Sequence, residues 1–342
     1  HYKSSLERYV YRSGMVMKPI FERAKLTPKR VVYAEGENER VLRAVQEVLN
    51  GELAKPILIG RKSIIQENIT SLGLTFSIDN DITIIEPDNN PFFEECVQAY
   101  HQAKSRKGVS SGLAETYVRT KNTVIASLLV RLNKADAMIC GLVGNYHKHL
   151  DHITDILDKE KGRKTVAALN AIVIPKGVYF FCDTMVNSNP QTDELVAMTL
   201  QASEYVQRFG ITPKVAMLSH SNFGSSQSNK TKKMADVVQI LHEQHPNIEI
   251  EGEIQADAAL LENLRNELVN NSKLNGEANL FIFPNLDAAN ISFNLLRILG
   301  DGITIGPILL GIEKPAHVLK PLASVRRILN MTALCSAEHC ED

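Results

Sequence analysis

The 342-residue sequence has no surplus of charge of either sign: 38 Lys and Arg stand against 39 Asp and Glu, a formal net charge of −1. That balance excludes a nucleic acid or anionic membrane held by bulk electrostatics, while leaving room for a local basic pocket. Cysteine is sparse and unpatterned. Cys96, Cys140, Cys182, Cys335 and Cys340 form no C-x-x-C pair and are odd in number, which argues against a disulfide framework and for reduced thiols in a cytoplasmic protein. No apolar run approaches the roughly 18 residues of a membrane helix, and no signal peptide is visible. Neither G-x-x-x-x-G-K-[ST] nor G-x-G-x-x-G occurs, which removes the P-loop and the dinucleotide fingerprint. Repeats of fixed period and low-complexity segments are missing too. The first residue is His1, not methionine, so the chain is expected to be part of something longer.

What is present is an alternation of short β-prone runs with helical stretches, the grammar of parallel α/β layers. The length exceeds the span at which a single core stops growing, so two domains are expected. In the first half, strands are expected at 31–34, 56–59, 82–85 and 137–140, with helices at 39–49, 63–72, 91–107, 112–118 and 123–132. Asn38 reads as an N-cap and Pro91 as a first helical residue. In the second half, Pro175, Lys176 and Gly177 turn a hairpin between strands 167–174 and 178–182. Helices at 193–208, 230–242, 257–268 and 287–299 then alternate with strands at 215–218, 248–254 and 280–283. The polar stretch 146–164 is the expected crossing between domains. The first 27 residues, interrupted by Gly14 and Pro19, read as a connector.

Ligands of open α/β sheets bind beyond the carboxyl ends of the strands, so the strand-to-helix corners carry the chemistry. Ser219, His220, Ser221, Asn222, Phe223, Gly224, Ser225 and Ser226 form one such corner. Small residues and hydroxyls there could bring N–H and O–H donors to an anion at a helix start, with Lys230, Lys232 and Lys233 nearby. An ordinary Ser/Gly loop capping a helix is the alternative. Glu251, Glu253, Gln255 and Asp257 form a second corner, which could orient a substrate or counter a cation; Asp257 as an N-cap explains it equally. Phe283 to Asn290 is the third, again with capping as an adequate reading. His147, His149 and His152 beside Asp151 have part of the spacing of a metal site, but no distant third ligand accompanies them, so no metal is assigned.

In their order and spacing, Ser219–Ser226, Glu251–Ala259, Phe283–Asn290 and Gly306–Pro315 resemble the phosphate acetyl/butyryltransferase family, from Pro19 to about Ala333. The strings Met17–Phe21, Ser219–Ser226 and Val325–Ile328 look like the versions in the phosphotransacetylase-like domain that ends large bacterial NADP-dependent malic enzymes. The resemblance implies two α/β/α sandwich domains with an isocitrate dehydrogenase-like layering, a cleft between them, and a last helix that returns to the first domain. It places the first domain at 1–146 completed by 310–342. The second, at 147–309, would make a homodimer.

Phosphotransacetylases move an acetyl group between phosphate and the thiol of coenzyme A, which needs a base for the thiol and donors for the carbonyl oxygen. The family's Ser-Arg pair falls on Lys320 and Pro321 here, and its Asp on Arg327. Proline has no side-chain donor, and an arginine does not give up its proton. A further arginine falls on Asp151, and a common cysteine on Thr184. No catalytic residue is therefore assigned. Ser219, Ser221, Asn222, Gly224, Ser225, Ser226, Glu253, Asp257 and Asn290 remain as candidate ligand-binding residues. The expectation is an inert domain that senses acetyl-CoA, another acyl-CoA or acetyl phosphate and regulates a malic-enzyme half in the same polypeptide, where NADP and a divalent metal would bind. Two alternatives stand beside it: an active transferase using Lys320 and His220, and a purely structural dimerisation module.

Overall fold

The computed structural model describes residues 2–338 apart from 79, with side chains from 14 onward. Cys340 lies outside the described residues. The chain folds as two compact units, one of residues 18–161 and 312–338, the other of residues 2–17 and 162–311.

Helix α1 (Tyr2–Leu26) runs unbroken through both Gly14 and Pro19, and Met17, Ile20 and Ala24 are buried. A connector with no core role is therefore corrected: every third or fourth residue of its second half is buried apolar surface. The first unit continues with β1 (Lys29–Tyr33), α2 (Glu39–Asn50), β2 (Ala54–Ile59), α3 (Lys62–Ser71), β3 (Thr83–Ile85), α4 (Phe93–Lys104), α5 (Ser111–Thr120), α6 (Asn122–Arg131), β4 (Ala137–Cys140) and α7 (Tyr146–Ile156). Asn38 caps α2 through Arg40 N–H. Pro91 falls outside α4, whose N-cap is Phe92. The polar stretch 146–164 holds α7, which packs on α6, and the units divide inside that stretch, at 161/162, instead of at the expected 146/147. Its apolar residues Leu150, Ile153 and Ile156 are buried at helical spacing, a signal its histidines and charges mask.

The second unit contains β5 (Ala167–Ile174), β6 (Gly177–Cys182), α8 (Thr192–Arg208), β7 (Lys214–Leu218), α9 (Asn229–Gln244), β8 (Glu249–Ile254), α10 (Ala256–Leu260), α11 (Glu262–Leu268), β9 (Leu280–Ile282), α12 (Leu286–Leu299) and β10 (Ile303–Leu310). The expected helix 257–268 breaks at Leu261, whose extended backbone separates α10 from α11. The chain then rejoins the first unit through β11 (Ala316–Val318) and α13 (Val325–Ala337).

The first unit's sheet is parallel with order β11-β4-β1-β2-β3. Helix α13 is buried on most of its length and is latched by polar contacts: Tyr33 Oη meets Thr332 Oγ1 at 2.8 Å, and Lys29 N–H donates to Ser336 Oγ at 2.8 Å. The second sheet has order β10-β5-β6-β9-β7-β8 and is mixed, because β5 runs antiparallel to both β6 and β10. Phe181, Phe281, Phe283 and Phe293 fill the core between this sheet and α12. The opposite side of α12 stays apolar yet exposed, with Ile291, Leu295, Ile298 and Leu299 each more than half open.

One glycine decides where the second sheet's corner points. The β7–β8 register passes from Met217↔Gly252 to Leu218↔Ile254, leaving Glu253 as an extra, unpaired residue. Such a bulge re-aims a side chain. Gly252 has φ +147°, and a Cβ there would lie 2.7 Å from Met217 Cβ and from its carbonyl oxygen. Gly252→Ala is therefore expected to cost about 2–4 kcal/mol. Urea unfolding checks this, and a loss below about 0.5 kcal/mol, the scale of an ordinary surface substitution, would show that the bulge tolerates a side chain.

Candidate functional site

The Ser219–Ser226 corner leaves β7 and returns into α9 after a turn in which Phe223 and Gly224 both take left-handed backbone, φ 46° and 82°. Its donors converge inward. Ser221, fully buried, donates from Oγ to Glu253 Oε1 at 2.9 Å, and Gly224 N–H donates to the same oxygen at 2.6 Å. Ser226 N–H donates to Ser221 Oγ at 2.9 Å, Asn222 N–H to Ser225 Oγ at 3.0 Å, and Phe223 N–H to the Glu253 carbonyl at 3.0 Å. The corner is thus organised around an anion of the chain's own. Glu253 is 3% exposed, and its carboxylate is held by the kind of donors a bound anion would use.

The second corner is tied to the first by Gln255. Its N–H donates to Asn222 Oδ1 at 2.7 Å, and its Nε2 donates to the His220 carbonyl at 2.8 Å. Gln255 is also the N-cap of α10, so the N-cap reading of Asp257 is corrected: Asp257 lies within the first turn, exposed, its Oδ1 accepting from Ala258 N–H. Helix α9 is capped by Ser228, which accepts from Thr231 N–H. Lys230 and Lys232 are exposed, but Lys233 is spent on protein acceptors: Asn189 Oδ1, the Pro190 carbonyl and the Pro284 carbonyl. Partial burial holds its ammonium below the usual lysine range. It joins the loops that follow β6, β7 and β9, three neighbouring strands.

Asn290 extends this edge. Its Nδ2 donates to the Thr184 carbonyl at 3.1 Å, and its Oδ1 accepts from Asn294 at 3.0 Å. Thr184 is buried, with Oγ1 accepting from Asn170 at 2.6 Å. Two residues that sequence reading passed over organise the same loop. Asp183 accepts from the N–H groups of Ala168, Met185, Val186 and Asn187 at 2.7–3.1 Å, and from Asn187 Nδ2 at 2.6 Å. Burial still raises its carboxyl above the usual range against those donors. The signal was an Asp ending a strand with an Asn four residues on, an Asx-turn pattern. Of the nine candidates, six lie in the loop and a seventh, Glu253, bonds to it; Asn290 joins the neighbouring loop through Thr184, and Asp257 stands outside these bonds.

The remaining singled-out positions belong to the first unit. Lys320 and Pro321 lie on the loop after β11, where Arg40 Nη1 donates to the Pro321 and Ala323 carbonyls at 2.7 and 2.9 Å. Arg327 is in the first turn of α13, its N–H donating to the N-cap Ser324. Asp151 is exposed on α7 and lines a cavity of about 620 Å³ at the carboxyl ends of β1 and β4, with Glu35, Lys121, Lys148, His149 and His152. Both nitrogens of His149 are engaged, Nδ1 with Thr123 Oγ1 and Nε2 with the Val143 carbonyl, each at 2.7 Å. Among the described residues no three His, Cys, Asp or Glu gather to hold a metal ion, and no helix is long and apolar enough to cross a membrane. Cys96, Cys140, Cys182 and Cys335 are buried free thiols, each pushed up by burial, Cys96 to about 11, which suppresses the thiolate a nucleophile needs.

Residues 15–336 match the model of the phosphate acetyl/butaryl transferase family. The chain is 48% identical over 337 residues to an NADP-dependent malic enzyme of Haemophilus influenzae, covering 98% of the chain but 45% of that protein. Against the NADP-dependent malic enzyme of Escherichia coli the identity is 45%, over 98% of the chain and 44% of the relative. The chain thus spans under half the length of these curated relatives. A phosphotransacetylase from Streptococcus pyogenes superposes with a TM-score of 0.88 at 26% identity, over 94% of this chain and 97% of the other.

Proposed function

Because the chain belongs to the phosphate acetyl/butaryl transferase family, we propose that it is the regulatory domain of an NADP-dependent malic enzyme, sensing an acyl-CoA or acetyl phosphate while inert as a transferase. The observation that carries this reading is a family match over nearly the whole chain; the resemblance sets Lys320, Pro321 and Arg327 where the family has a serine, an arginine and an aspartate. The surrounding backbone supports it. Arg40 Nη1 donates to the Pro321 and Ala323 carbonyls, so this loop is tied to α2 by its backbone without the reacting groups.

An acyl or phosphoryl ligand would meet the exposed rim of the Ser219–Ser226 loop at His220, Gly224 and Ser225, with Glu253 holding the rim in shape from beneath. The parent protein would be cytoplasmic and would oxidise and decarboxylate malate to pyruvate and CO₂, with NADP and a divalent metal bound outside this chain. The exposed apolar stripe of α12 supports a homodimer formed through the second unit, since Ile291, Leu295 and Ile298 repeat at the four-three spacing of a helix seam.

In the full-length protein, acetyl-CoA is expected to inhibit malate oxidation, and Ser221→Ala, by loosening the loop, to raise the half-inhibiting concentration about tenfold, a ~1.4 kcal/mol loss. Unchanged inhibition in Ser221→Ala and Asn290→Ala, with inhibition lost only when α12 is altered, would favour the dimerisation module. Thioester formation from acetyl phosphate and coenzyme A by this chain would establish the active-transferase reading in place of the inert one.

A further inference from the structure

A cavity of about 300 Å³ lies in the second unit at the amino ends of β7 and β8, opposite the end of these strands that carries the Ser219–Ser226 corner. One wall is a stripe of α8: Leu200, Ser203, Glu204 and Gln207 follow the i, i+3, i+4, i+7 spacing of a single helix face. Thr212 before β7 and Asn247 and Glu249 at the start of β8 line it from the other side. Ser203 is 4% exposed, and its Oγ is buried with no hydrogen-bond partner among the described residues. Thr199, one turn earlier, donates from Oγ1 to the Leu195 carbonyl at 2.7 Å. Ser203 makes no such bond to the carbonyl one turn back. A buried hydroxyl without a partner lowers stability, so its presence in a cavity wall calls for a group that enters.

The charges select the class of that group. Arg163 and Glu204, both in the lining, pair with each other. Glu249 has no such partner: its Oε2 accepts the Asn275 N–H at 3.3 Å, and among the described residues no cation stands within ion-pair distance of it. The lining therefore carries Arg163 against two carboxylates, a field that draws in a cation and repels an anion. The hydroxyls and amides of Ser203, Thr212, Gln207 and Asn247 supply uncharged donors and acceptors beside it. The volume falls at the lower end of ligand pockets, roughly 300–1,000 Å³, which suits a compact molecule.

We propose that this cavity binds a small organic ammonium compound that also carries a hydroxyl. The ammonium pairs with Glu249, and the hydroxyl completes the bonding of Ser203. The site is separate from the acyl-CoA rim in place and in charge, and it stands whether or not that rim binds its ligand.

Serinol, an ammonium flanked by two hydroxymethyl groups, is the probe, and glycerol, with a hydroxyl in place of the ammonium, is its control. In amide-shift titrations of the intact chain, serinol should saturate at roughly millimolar concentration, moving residues 203–207 and 247–249, and glycerol should bind at least about tenfold more weakly. Glu249→Gln should erase that preference. Ser203→Ala should weaken serinol about tenfold while raising the unfolding midpoint of the free chain by roughly 2–4 °C, because it removes an unpaired buried hydroxyl. A serine with a merely structural part would leave serinol binding unchanged. No saturable shifts at these residues, equal binding of serinol and glycerol, or serinol binding unaltered in both variants overturns the proposal.

Discussion

Arg265→Met is expected to destabilise the second unit by about 3–5 kcal/mol, since several acceptors lose a charged donor at once and each buried one left unsatisfied costs roughly 1–3 kcal/mol. Arg265 on α11 is fully buried and, among the described residues, has no carboxylate within ion-pair distance. Its guanidinium is satisfied by dipoles alone. Nη1 donates to the Ala258 carbonyl at 2.9 Å, Nη2 to the carbonyls of Leu274 and Gly276 at 3.0 and 2.6 Å, and Nε to Ser272 Oγ at 3.2 Å. Methionine fills similar volume, but it leaves the buried Ala258 and Leu274 carbonyls without this donor. The five N–H groups of arginine form a planar fork that lysine cannot copy, so Arg265→Lys should recover less than half of the loss. Denaturant unfolding monitored by circular dichroism measures both. A Met variant within about 1 kcal/mol of wild type, no more than one ordinary hydrogen bond, would mean that loop 269–278 finds other partners.

Glu253→Ala should cost about 3 kcal/mol, because each charged hydrogen bond removed is worth roughly 1.5–3 kcal/mol and one of the two donors, Ser221 Oγ, is fully buried. Its two donors, Ser221 Oγ and Gly224 N–H, belong to the turn of the left-handed residues Phe223 and Gly224, where the Glu253 side chain is the acceptor that ties both ends together. The loss should therefore be local first: exchange protection of residues 221–226 should collapse while β5 and β6 keep theirs. Glu253→Gln keeps an acceptor at the same place and should retain most of the stability. If Glu253→Ala unfolds the unit globally with no prior loosening of the loop, Glu253 is a core group and not the organiser of this corner.

The arrangement of Ser221 and Glu253 shows what the residues alone conveyed. Small hydroxylated residues after a β-prone run announce a strand-to-helix corner, and Asn38 and the apolar spacing of α2 announce a helix, because both signals are local. That Glu253 turns under the loop depends on a bulge in β8 against β7, a register between strands about 35 residues apart. No local pattern carries such a register. Strand β10 was hidden for a related reason. Gly306 and Pro307 interrupt its apolar run, yet they sit at an irregularity in pairing with β5, a place that tolerates the missing N–H of proline. Helix α7 was obscured by composition, since His147, His149, Asp151 and His152 outweigh its three buried apolar residues. Lys233 reads as an exposed phosphate ligand because its carbonyl partners Pro190 and Pro284 are distant in sequence.

The proposed function requires that the chain bind an acyl-CoA without transferring its acyl group. Isothermal titration of the chain with acetyl-CoA, followed by a search for acetyl phosphate when inorganic phosphate is added, tests both halves in one sample. Saturable binding at micromolar to low millimolar ligand, about −8 to −4 kcal/mol, with no acetyl phosphate formed, is the predicted result. No heat at millimolar acetyl-CoA in the intact chain, or turnover within minutes, would contradict it.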